Sequence, residues 1–412
     1  MATDFAETAL GQLLSFANGR SSPERADGLP YPVYGSNGVI GCASEANAEA
    51  DSIVIGRVGS YCGSLYLSKQ RCWVTDNAIR ATAREGNDPR FLFYLLGTLS
   101  LNSWRAGSGQ PLLNQDILSR IPATVPKLDE QRAIAHILGT LDDKIGINRR
   151  MNETLEAIAR ALFKSWFVDF DPVRAKAEGR DPRLPKPIAD LFPDRLVASV
   201  LGEIPEGWEA QPFADTVEII GGGTPKTSVA EYWNGDISWF SVVDAPTGSD
   251  VWVVDTEKKI TREGVENSST RILPVGTTII SARGTVGRIA LVGLPMAMNQ
   301  SCYGLRGKVG TRGSFTYFAT RELVSSLQQR AHGSVFDTIT RNTLAGVYVA
   351  VPPANLIKEF ENRIDPILEH IRVSLLGSRT LAALRDALLP KLLSGEIRIK
   401  DAKKRMATGV VA

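Results

Sequence analysis

The sequence predicts an α+β protein with a pseudo-two-fold repeat: two α/β domains separated by two long antiparallel coiled-coil helices. Three observations support this fold class. A long stretch with helical periodicity lies near the middle of the 412-residue chain, and a fainter copy lies near the C-terminus. A glycine-rich segment with short β-like runs precedes each copy. Matching segments at one constant offset are the signature of an internal repeat.

The first long helix is predicted over residues 129–170. Read in heptads, one seam position holds Ile134, Leu141, Asn148, Leu155 and Leu162. A seam that is apolar at both ends and polar in its middle is typical of a coiled coil whose register is set by buried Asn. One such helix alone would equally suit the core of a larger domain, but two copies in register favour a paired antiparallel coil.

The second long helix is predicted over residues 354–396. The offset that matches Leu155 with Leu381 places Ser374 at the polar middle of its seam. Pro366, Gly377 and Pro390 interrupt the stretch. Because proline removes a backbone donor and clashes with the preceding turn, we expect this helix to be bent or broken where the first is continuous.

The remaining segments follow from these two helices. Residues 1–128 form a first domain of short strands, turns and one helical pattern, and residues 207–353 repeat that pattern as a second domain. Between them, residues 171–206 contain six prolines and alternating charges, which predicts an extended linker on the surface. Residues 397–412 form a C-terminal tail that we expect to fray.

Composition restricts the class of protein. The hydrophobic share of 43% fits a globular protein, and we expect a cytoplasmic location without membrane contact, since neither a signal peptide nor a long apolar run is present. The four cysteines show no C-x-x-C spacing and the three histidines do not cluster with them, so we expect no metal site. A net charge of +2 means that any DNA-binding face must arise from folding.

No enzyme motif is recognisable. The sequence lacks a phosphate-binding G-x-x-x-x-G-K-[ST] loop, a dinucleotide fingerprint, a G-x-S-x-G elbow and H-E-x-x-H. The turn at 221–224 with Lys226 has the wrong spacing for a phosphate loop, and the charges at 255–259 are more typical of a solvated strand edge than of a nuclease. We therefore expect no catalytic residue and no cofactor.

Two glycine loops are the strongest candidates for a binding site. Residues 57–63 in the first half and 283–288 in the second each follow a buried-looking strand and combine Arg, Gly and a hydroxyl residue. Such loops suit close backbone approach to phosphate, with an Arg free for a base edge. An ordinary glycine turn is the alternative for either loop, but both occur at matching places.

Amide, hydroxyl and aromatic residues near these loops add groups able to read bases. His332 corresponds in position to the loop around Gln110, which suggests a contact rather than a metal ligand. The DNA-binding candidates are Arg57, Gly59, Ser60, Tyr61, Asn77, Gln110, Thr224, Lys226, Arg283, Gly284, Thr285, Arg288, Asn299, Gln300, His332 and Ser334.

Several motifs resemble a known family, the specificity (S) subunits of type I restriction-modification systems. The resemblance lies in Leu128-Asp129-Glu130-Gln131-Arg132, in the run from Lys164 to Val173, and in Gly222-Gly223-Thr224-Pro225 with Tyr232-Trp233 and Ile237-Ser238-Trp239. Residues 31–38 resemble an alternative opening of the family's recognition domains. The first half lacks the Gly-Gly-Thr-Pro opening.

The resemblance implies a non-catalytic reader of double-stranded DNA. Two target recognition domains would each read half of a split site, with the paired helices as the ruler between them. Methylation and cleavage would belong to partners: two methyltransferase subunits and a restriction/translocase subunit. A stand-alone DNA-modifying enzyme with fused recognition modules is the alternative, and a purely structural coiled-coil adaptor is a third hypothesis.

A partner-binding surface is also predicted. Phe163, Trp166 and Phe167 are apolar residues in excess of what one helical seam can bury. We expect them to dock helices of the methyltransferase subunit.

Overall fold

The computed structural model describes residues 5–105, 112–246, 250–309, 313–330, 338–397 and 399. The chain divides into two compact units. Unit 1 comprises Met1–Gly146 and Arg379–Ala412, and unit 2 comprises Ile147–Ser378. Each long helix therefore contributes one half to each unit. In the part of the chain that is described, no helix is long and apolar enough to cross a membrane.

The domain of unit 1 is a set of short strands with three helices. In chain order the elements are β1 (Ala6–Ala9), α1 (Leu10–Leu13), β2 (Leu14–Asn18), β3 (Tyr31–Gly35), β4 (Gly38–Ala43), β5 (Ser52–Gly56), β6 (Leu65–Ser68), β7 (Trp73–Val74), β8 (Ala78–Ala83), α2 (Pro89–Thr98), α3 (Gln115–Arg120) and β9 (Pro122–Val125). Helix α2 begins where sequence rules place it, since Asp88 caps the Phe91 N–H at 2.8 Å and Pro89 follows the cap.

The strands of unit 1 form two sheets and one isolated pair. The larger sheet has the order β2-β8-β5-β6 and is antiparallel throughout. The smaller sheet has the order β4-β3-β7, with β3 and β7 parallel. Strands β1 and β9 pair at the ends of the domain. The buried faces of β5 and β8 pack on α2 through Ile53, Ile79 and Phe91, each fully buried.

The elements of unit 2 follow α4 (Leu128–Phe167). They are α5 (Asp171–Ala177), α6 (Lys186–Ala189), β10 (Leu196–Ser199), β11 (Gly202–Pro205), β12 (Glu209–Pro212), α7 (Phe213–Thr216), β13 (Val217–Gly221), β14 (Trp233–Phe240), β15 (Trp252–Val253), β16 (Lys259–Ile260), α8 (Arg262–Glu266), β17 (Thr278–Ser281), β18 (Ile289–Val292), β19 (Met296–Met298), β20 (Cys302–Gly307), α9 (Ser314–Arg330), α10 (Arg341–Ala345), β21 (Tyr348–Val351) and α11 (Ala354–Leu393).

Unit 2 repeats the topology of unit 1. Its larger sheet has the order β13-β20-β17-β18-β15, which is the first sheet with one strand added at its edge. In its smaller sheet, β16-β14-β19, the central strand β14 is parallel to the edge strand β19, as β3 is to β7 in unit 1. Strand β12 pairs with β21 as β1 does with β9. The predicted fold class, an α+β repeat with two long helices, is confirmed.

Helices α4 and α11 are equally long, at 40 residues each. The second helix is therefore continuous, so the expectation that it would be broken is wrong, while a bend stays a prediction. A proline inside a helix costs about 3 kcal/mol, but Pro366 is flanked by the buried Ile364 and Leu368, and Pro390 by the buried Leu388 and Leu392. Burying each such side chain contributes about 1.5–3 kcal/mol, so tertiary packing outweighs the local penalty.

The polar middle of the helical seam is buried as the heptads predict. Asn148, Asn152 and Ser374 are 3–8% exposed, and the Asn148 amide donates to Ser378 Oγ at 3.0 Å. Within unit 2, Asn148 of α4 contacts Ser378 of α11, and further along α4 Phe163 contacts Phe360, with 5.6 Å between the ring centroids. The residue numbers of the contacted positions on α11 therefore decrease as those on α4 increase. The two helices are thus antiparallel.

The segment at 171–206 differs from the extended surface linker expected. It forms α5, α6 and the β10–β11 hairpin, and it buries Val173, Ile188, Phe192 and Ile204 in the main core of unit 2. Its prolines start short helices: Pro172 and Pro187 stand in the first turns of α5 and α6. Proline at a helix start loses no intrahelical bond, so proline content was a poor guide to extension here.

Candidate nucleic-acid interface

Three loops of unit 1 meet at one end of its larger sheet. We call residues 36–37, 57–64 and 76–77 loop cluster 1. The Asn77 carbonyl accepts hydrogen bonds from the Arg57 N–H at 3.0 Å and from Ser36 Oγ at 2.6 Å. Ser64 Oγ donates to the Ser36 carbonyl at 2.5 Å. These bonds fix the loops to one another and present one continuous surface.

The tip of loop cluster 1 is exposed. Gly59, Ser60 and Tyr61 form a single 3₁₀ turn, and Tyr61 is 55% exposed. Gly59 has a φ of +70° with open space around it, so glycine is needed here for the backbone conformation. The Asn77 side chain is also exposed. The tip therefore offers a phenol, a hydroxyl and an amide to a ligand.

Four loops meet at the same end of the larger sheet in unit 2. We call residues 222–226, 241–244, 283–288 and 299–301 loop cluster 2. The Gly223 N–H donates to the Met298 carbonyl at 3.0 Å, and Asn299 N–H to the Phe240 carbonyl at 2.9 Å. The hairpin at 283–288 is folded over Ser281, whose hydroxyl donates to the Thr285 carbonyl at 2.6 Å.

Loop cluster 2 presents more charge than loop cluster 1. Arg283, Gly284, Thr285, Arg288 and Lys226 are all exposed. Thr224 donates its hydroxyl proton to Gln300 Oε1. Because this bond occupies the amide oxygen, the Gln300 amide nitrogen is left to donate outward. Asn299 instead caps its own loop, with Oδ1 accepting from the Ser301 N–H at 3.0 Å.

The strand register shows that Arg57 and Arg283 are not equivalent positions. The Arg57 N–H donates to the carbonyl of Asn77. At the equivalent position of the strand pair in unit 2, the Ala282 N–H donates to the Ser301 carbonyl at 2.7 Å. The matching of the two loops by sequence alone was therefore off by one residue. Since successive strand residues face opposite ways, this difference changes what each Arg can reach.

The two arginines accordingly have different surroundings. Arg57 is half-buried, and its Nε atom has no hydrogen-bond partner among the described residues. Arg283 is exposed. The same register makes Asp76, rather than Asn77, the counterpart of Gln300.

A glycine missed by the sequence analysis links the openings of the two domains. A Cβ on Gly19 would lie 1.9 Å from the Thr75 carbonyl oxygen, and one on Gly222 would lie 1.9 Å from that of Asn299. The first domain therefore does have a counterpart of the Gly-Gly-Thr-Pro turn, and it is followed by the exposed Arg20. The sequence signal was a single glycine before Arg-Ser-Ser-Pro, too short to stand out.

The predicted partner residues lie in the core instead of on a surface. Phe163, Trp166 and Phe167 are 4%, 1% and 7% exposed. Phe163 stacks on Phe318 at 5.6 Å, and Trp166 meets Phe192 edge to face at 5.2 Å. Helix α9 and the segment after α4 cover the residues that exceed one helical seam, so these three side chains are not available to a partner in this structure.

Three further candidates, Gln110, His332 and Ser334, lie outside the described residues. Among the residues that are described, no group of three or more His, Cys, Asp or Glu side chains could hold a metal ion.

In unit 1, ion pairs hold the sheet-containing domain on the helices. Arg90 Nη1 bonds Asp143 Oδ2 at 2.9 Å and Nη2 bonds the Gly139 carbonyl at 2.7 Å. The hydrogen bond from Arg90 lowers the pKa of the Asp143 carboxyl to about 2. Asp142 accepts from Tyr94 at 2.5 Å and from Arg385 at 2.6 Å, which joins α2, α4 and α11.

Unit 2 uses a more deeply buried pair for the same purpose. The Glu156 side chain on α4 is 4% exposed and bonds Arg321 Nη1 on α9 at 2.5 Å. The Arg321 guanidinium also lies over the Tyr317 ring at 5.9 Å. Trp252 adds an indole N–H bond to the Leu368 carbonyl at 2.7 Å. Each loop cluster thus belongs to a domain that is fastened to both long helices.

Comparison with known proteins gives a consistent result. The family model for the type I restriction modification DNA specificity domain matches residues 3–157 and 205–367. The HindI specificity subunit of Haemophilus influenzae, from a type I restriction enzyme, is 28% identical over 358 residues, which cover 75% of this chain and 77% of that protein. The MjaIX specificity subunit of Methanocaldococcus jannaschii is 24% identical over 335 residues, covering 77% and 71%.

A solved structure shares the fold. The S subunit of a type I restriction-modification system from M. genitalium superposes with a TM-score of 0.60 at 14% identity, covering 95% of this chain and 96% of that one. The two matched segments each contain one sheet-bearing repeat and most or part of a long helix. The chain belongs to the type I restriction-modification specificity subunit family.

Proposed function

We propose that this chain reads a bipartite target in duplex DNA, with loop cluster 1 on one half-site and loop cluster 2 on the other. The observation that carries the proposal is the repeat itself: two domains of the same topology present hydrogen-bond donors from corresponding ends of two equivalent sheets. The side chains at that end differ between the domains, as they must if the half-sites differ in sequence.

The two kinds of exposed group suit two kinds of DNA contact. Lys226, Arg283 and Arg288 are exposed cations that can neutralise phosphates, which positions a protein without reading sequence. Gln300, whose oxygen is held by Thr224, presents N–H donors suited to the N7 and O6 acceptors in the major groove. Arg57 stays the arginine candidate in loop cluster 1 for a DNA contact through its terminal guanidinium nitrogens, since its Nε is buried and has no hydrogen-bond partner among the described residues.

We further propose that methyl transfer and cleavage reside on separate subunits, and that the chain itself binds no cofactor. The relatives support this division, since each is named as a specificity subunit of a type I restriction enzyme. The stand-alone modifying enzyme is not favoured by any of these relatives. Calorimetry with S-adenosylmethionine and ATP tests the point, and stoichiometric binding of either ligand to the purified chain would contradict it.

A different surface replaces the buried aromatics as the docking site for a methyltransferase subunit. On the paired helices of unit 2, Ile158, Ala161 and Leu162 of α4 line a shallow groove with Ile364 and Ile367 of α11. Ile158 is 50% exposed although it lies on a helix with a well-packed core face. An apolar strip along two helices is suited to receive a helix of a partner.

The test of DNA reading is methylome sequencing of cells that express the chain with its methyltransferase and restriction partners. We expect a two-part motif with an unread spacer. Gln300→Ala should relax one half of that motif only, and Asn77→Ala the other half only. Gln70→Ala is the matched control, because this exposed amide follows β6 at the opposite end of the sheet from loop cluster 1. Loss of sequence preference in both halves from one loop variant would contradict the assignment.

A further inference from the structure

Loop cluster 2 contains a strongly exposed apolar side chain. Val243 lies in the 3₁₀ turn Val242–Asp244 that follows β14, and it is 70% exposed. Single exposed aliphatic residues are common on protein surfaces, so exposure alone assigns no role. The reason to assign a role lies in the rigidity and the location of this turn.

The turn is held from both sides by one carboxylate. Asp244 Oδ2 accepts from the Ser241 N–H at 2.8 Å and from the Ser241 hydroxyl at 2.9 Å. Asp244 Oδ1 accepts from the Glu257 N–H at 2.7 Å, which ties the turn to a second segment. With both carboxylate oxygens bonded, the backbone that carries Val243 is held in place.

The turn lies directly beside the loop that carries Gln300. The Phe240 carbonyl, at the end of β14, accepts the Asn299 N–H at 2.9 Å. Val243 follows three residues after Phe240, and Gln300 follows Asn299, so both side chains leave the same strand ends. An apolar group and an amide donor are thus carried by two joined loops at the surface proposed to meet DNA.

The equivalent position in unit 1 carries a different kind of side chain. The Tyr34 carbonyl accepts a hydrogen bond from the Thr75 N–H at 2.9 Å, as the Phe240 carbonyl does from the Asn299 N–H. Counting on from Tyr34 places Asn37 where unit 2 has Val243, and Asn37 is also exposed. Both residues follow equivalent strand ends, but Asn37 lies in the β3–β4 hairpin turn and Val243 in a 3₁₀ turn, so backbone and side-chain chemistry both differ between the domains.

We infer that Val243 is a specificity-determining residue that contacts the C5 methyl group of a thymine in the half-site read by unit 2. In the major groove only thymine, among the four unmodified bases, presents a methyl group, and apolar side chains read it. The inference rests on the proposed DNA-reading function and assigns one base to one residue of that site.

The test uses the complex with its methyltransferase partner and the target mapped by methylome sequencing. Each thymine of the half-site relaxed by Gln300→Ala is replaced in turn by deoxyuridine, which removes the methyl group alone. For the wild type we expect one position at which this replacement weakens binding about fourfold, the value of one buried methyl-sized group. For Val243→Ala the same replacement should have a clearly smaller effect, because alanine keeps only Cβ for the contact, while the other positions keep their wild-type values.

Val275→Ala is the matched control, because Val275 is 46% exposed in the turn that precedes β17, at the strand's other end from loop cluster 2. It should keep the deoxyuridine penalty. A half-site without thymine, a wild type that tolerates every deoxyuridine, or an equal penalty in Val243→Ala would overturn the inference. A different result would contradict the proposed DNA-reading function, namely that the wild-type complex shows no binding preference for the mapped target over a scrambled duplex.

Discussion

If the paired helices set the spacing between the two half-sites, lengthening both should lengthen the unread spacer. The insertion points are given by the boundaries of the units: four helix-forming residues after Gly146 and four after Ser378 leave each unit's own residues unchanged. Four residues add about 6 Å at about 1.5 Å per residue. At about 3.4 Å per base pair this corresponds to one or two base pairs of added spacer.

The rotation that accompanies this insertion is tolerable. Four residues turn an α-helix by about 400°, or about 40° beyond one full turn. Two base pairs turn the duplex by about 70°, at about 10 base pairs per turn. The mismatch of about 30° is small enough to be absorbed by twist in an unread spacer. Four residues also nearly preserve the phase of the apolar seam, so folding should survive.

Methylome sequencing of cells carrying the double insertion is the assay. We expect both half-sites to be unchanged and the spacer to be one or two base pairs longer. A four-residue insertion at Gly179, an exposed turn after α5, is the control that lengthens the chain without lengthening either helix. An active complex whose spacer is unchanged, or whose half-site bases change, would refute the ruler.

Three further predictions concern the packing that supports the loop clusters. Glu156→Ala should destabilise unit 2 by about 2 kcal/mol in urea unfolding, because it removes the charge-assisted hydrogen bond to Arg321, whose side chain is 29% exposed. Glu153→Ala, one turn away and 45% exposed, should have little effect, and equal losses from the two variants would contradict the role given to this pair. Asp143→Asn should flatten the acid dependence of the free energy of unfolding. Because the pKa of the Asp143 carboxyl is lowered in the folded state to about 2, its contribution is full above about pH 4 and is lost as the pH falls through about 2. The stabilities of wild type and variant should therefore converge near pH 2 in acid titrations, and parallel curves would argue against this contribution. Gly222→Ala should weaken DNA binding and lower the melting temperature, since its Cβ would meet a carbonyl oxygen at 1.9 Å, whereas Gly221→Ala, with open space, should do neither.

The repeat and the two helices were predictable from sequence because their signals are periodic and local. Heptad spacing gave the polar seam of Asn148 and Ser374, and the constant offset between the halves gave the matching topology. The proline argument failed for the opposite reason. Propensity is a local quantity, and at Pro366 it is outweighed by the burial of Ile364 and Leu368, which depends on partners far along the chain.

The placement of the candidate loops at equivalent sheet ends could be predicted from sequence, but the matching of single residues between the two loops could not. The loops around Arg57 and Arg283 do lie at the same end of equivalent sheets. Which residue of each loop faces outward is set by strand register, and a shift of one residue reverses it. No sequence pattern in a glycine-rich loop fixes that register, so Arg57 and Arg283 were matched although Ala282 is the true counterpart of Arg57.

The same limit explains the aromatic residues at the end of the first helix. Their spacing showed correctly that one seam could not bury Phe163, Trp166 and Phe167 together. Whether the surplus faces a partner chain or another part of the same chain depends on where α9 and α6 pack, and in this protein they supply Phe318 and the adjacent Phe192. An apolar surplus in a sequence therefore predicts a contact without naming its partner.

The buried polar groups in the helical seam follow from the need for one register. Asn152 Oδ1 and Ser374 Oγ are buried and have no hydrogen-bond partner in the described part of the chain, an arrangement that costs stability. Sliding the antiparallel pair by one heptad would move Asn148 from Ser378 toward the fully buried Ile371, adding a further unsatisfied amide to an apolar layer. The present register is thus favoured over its neighbours even though an all-apolar seam would be more stable. A helix pair that sets a distance requires this selectivity, because a slip of seven residues would change that distance by about 10 Å.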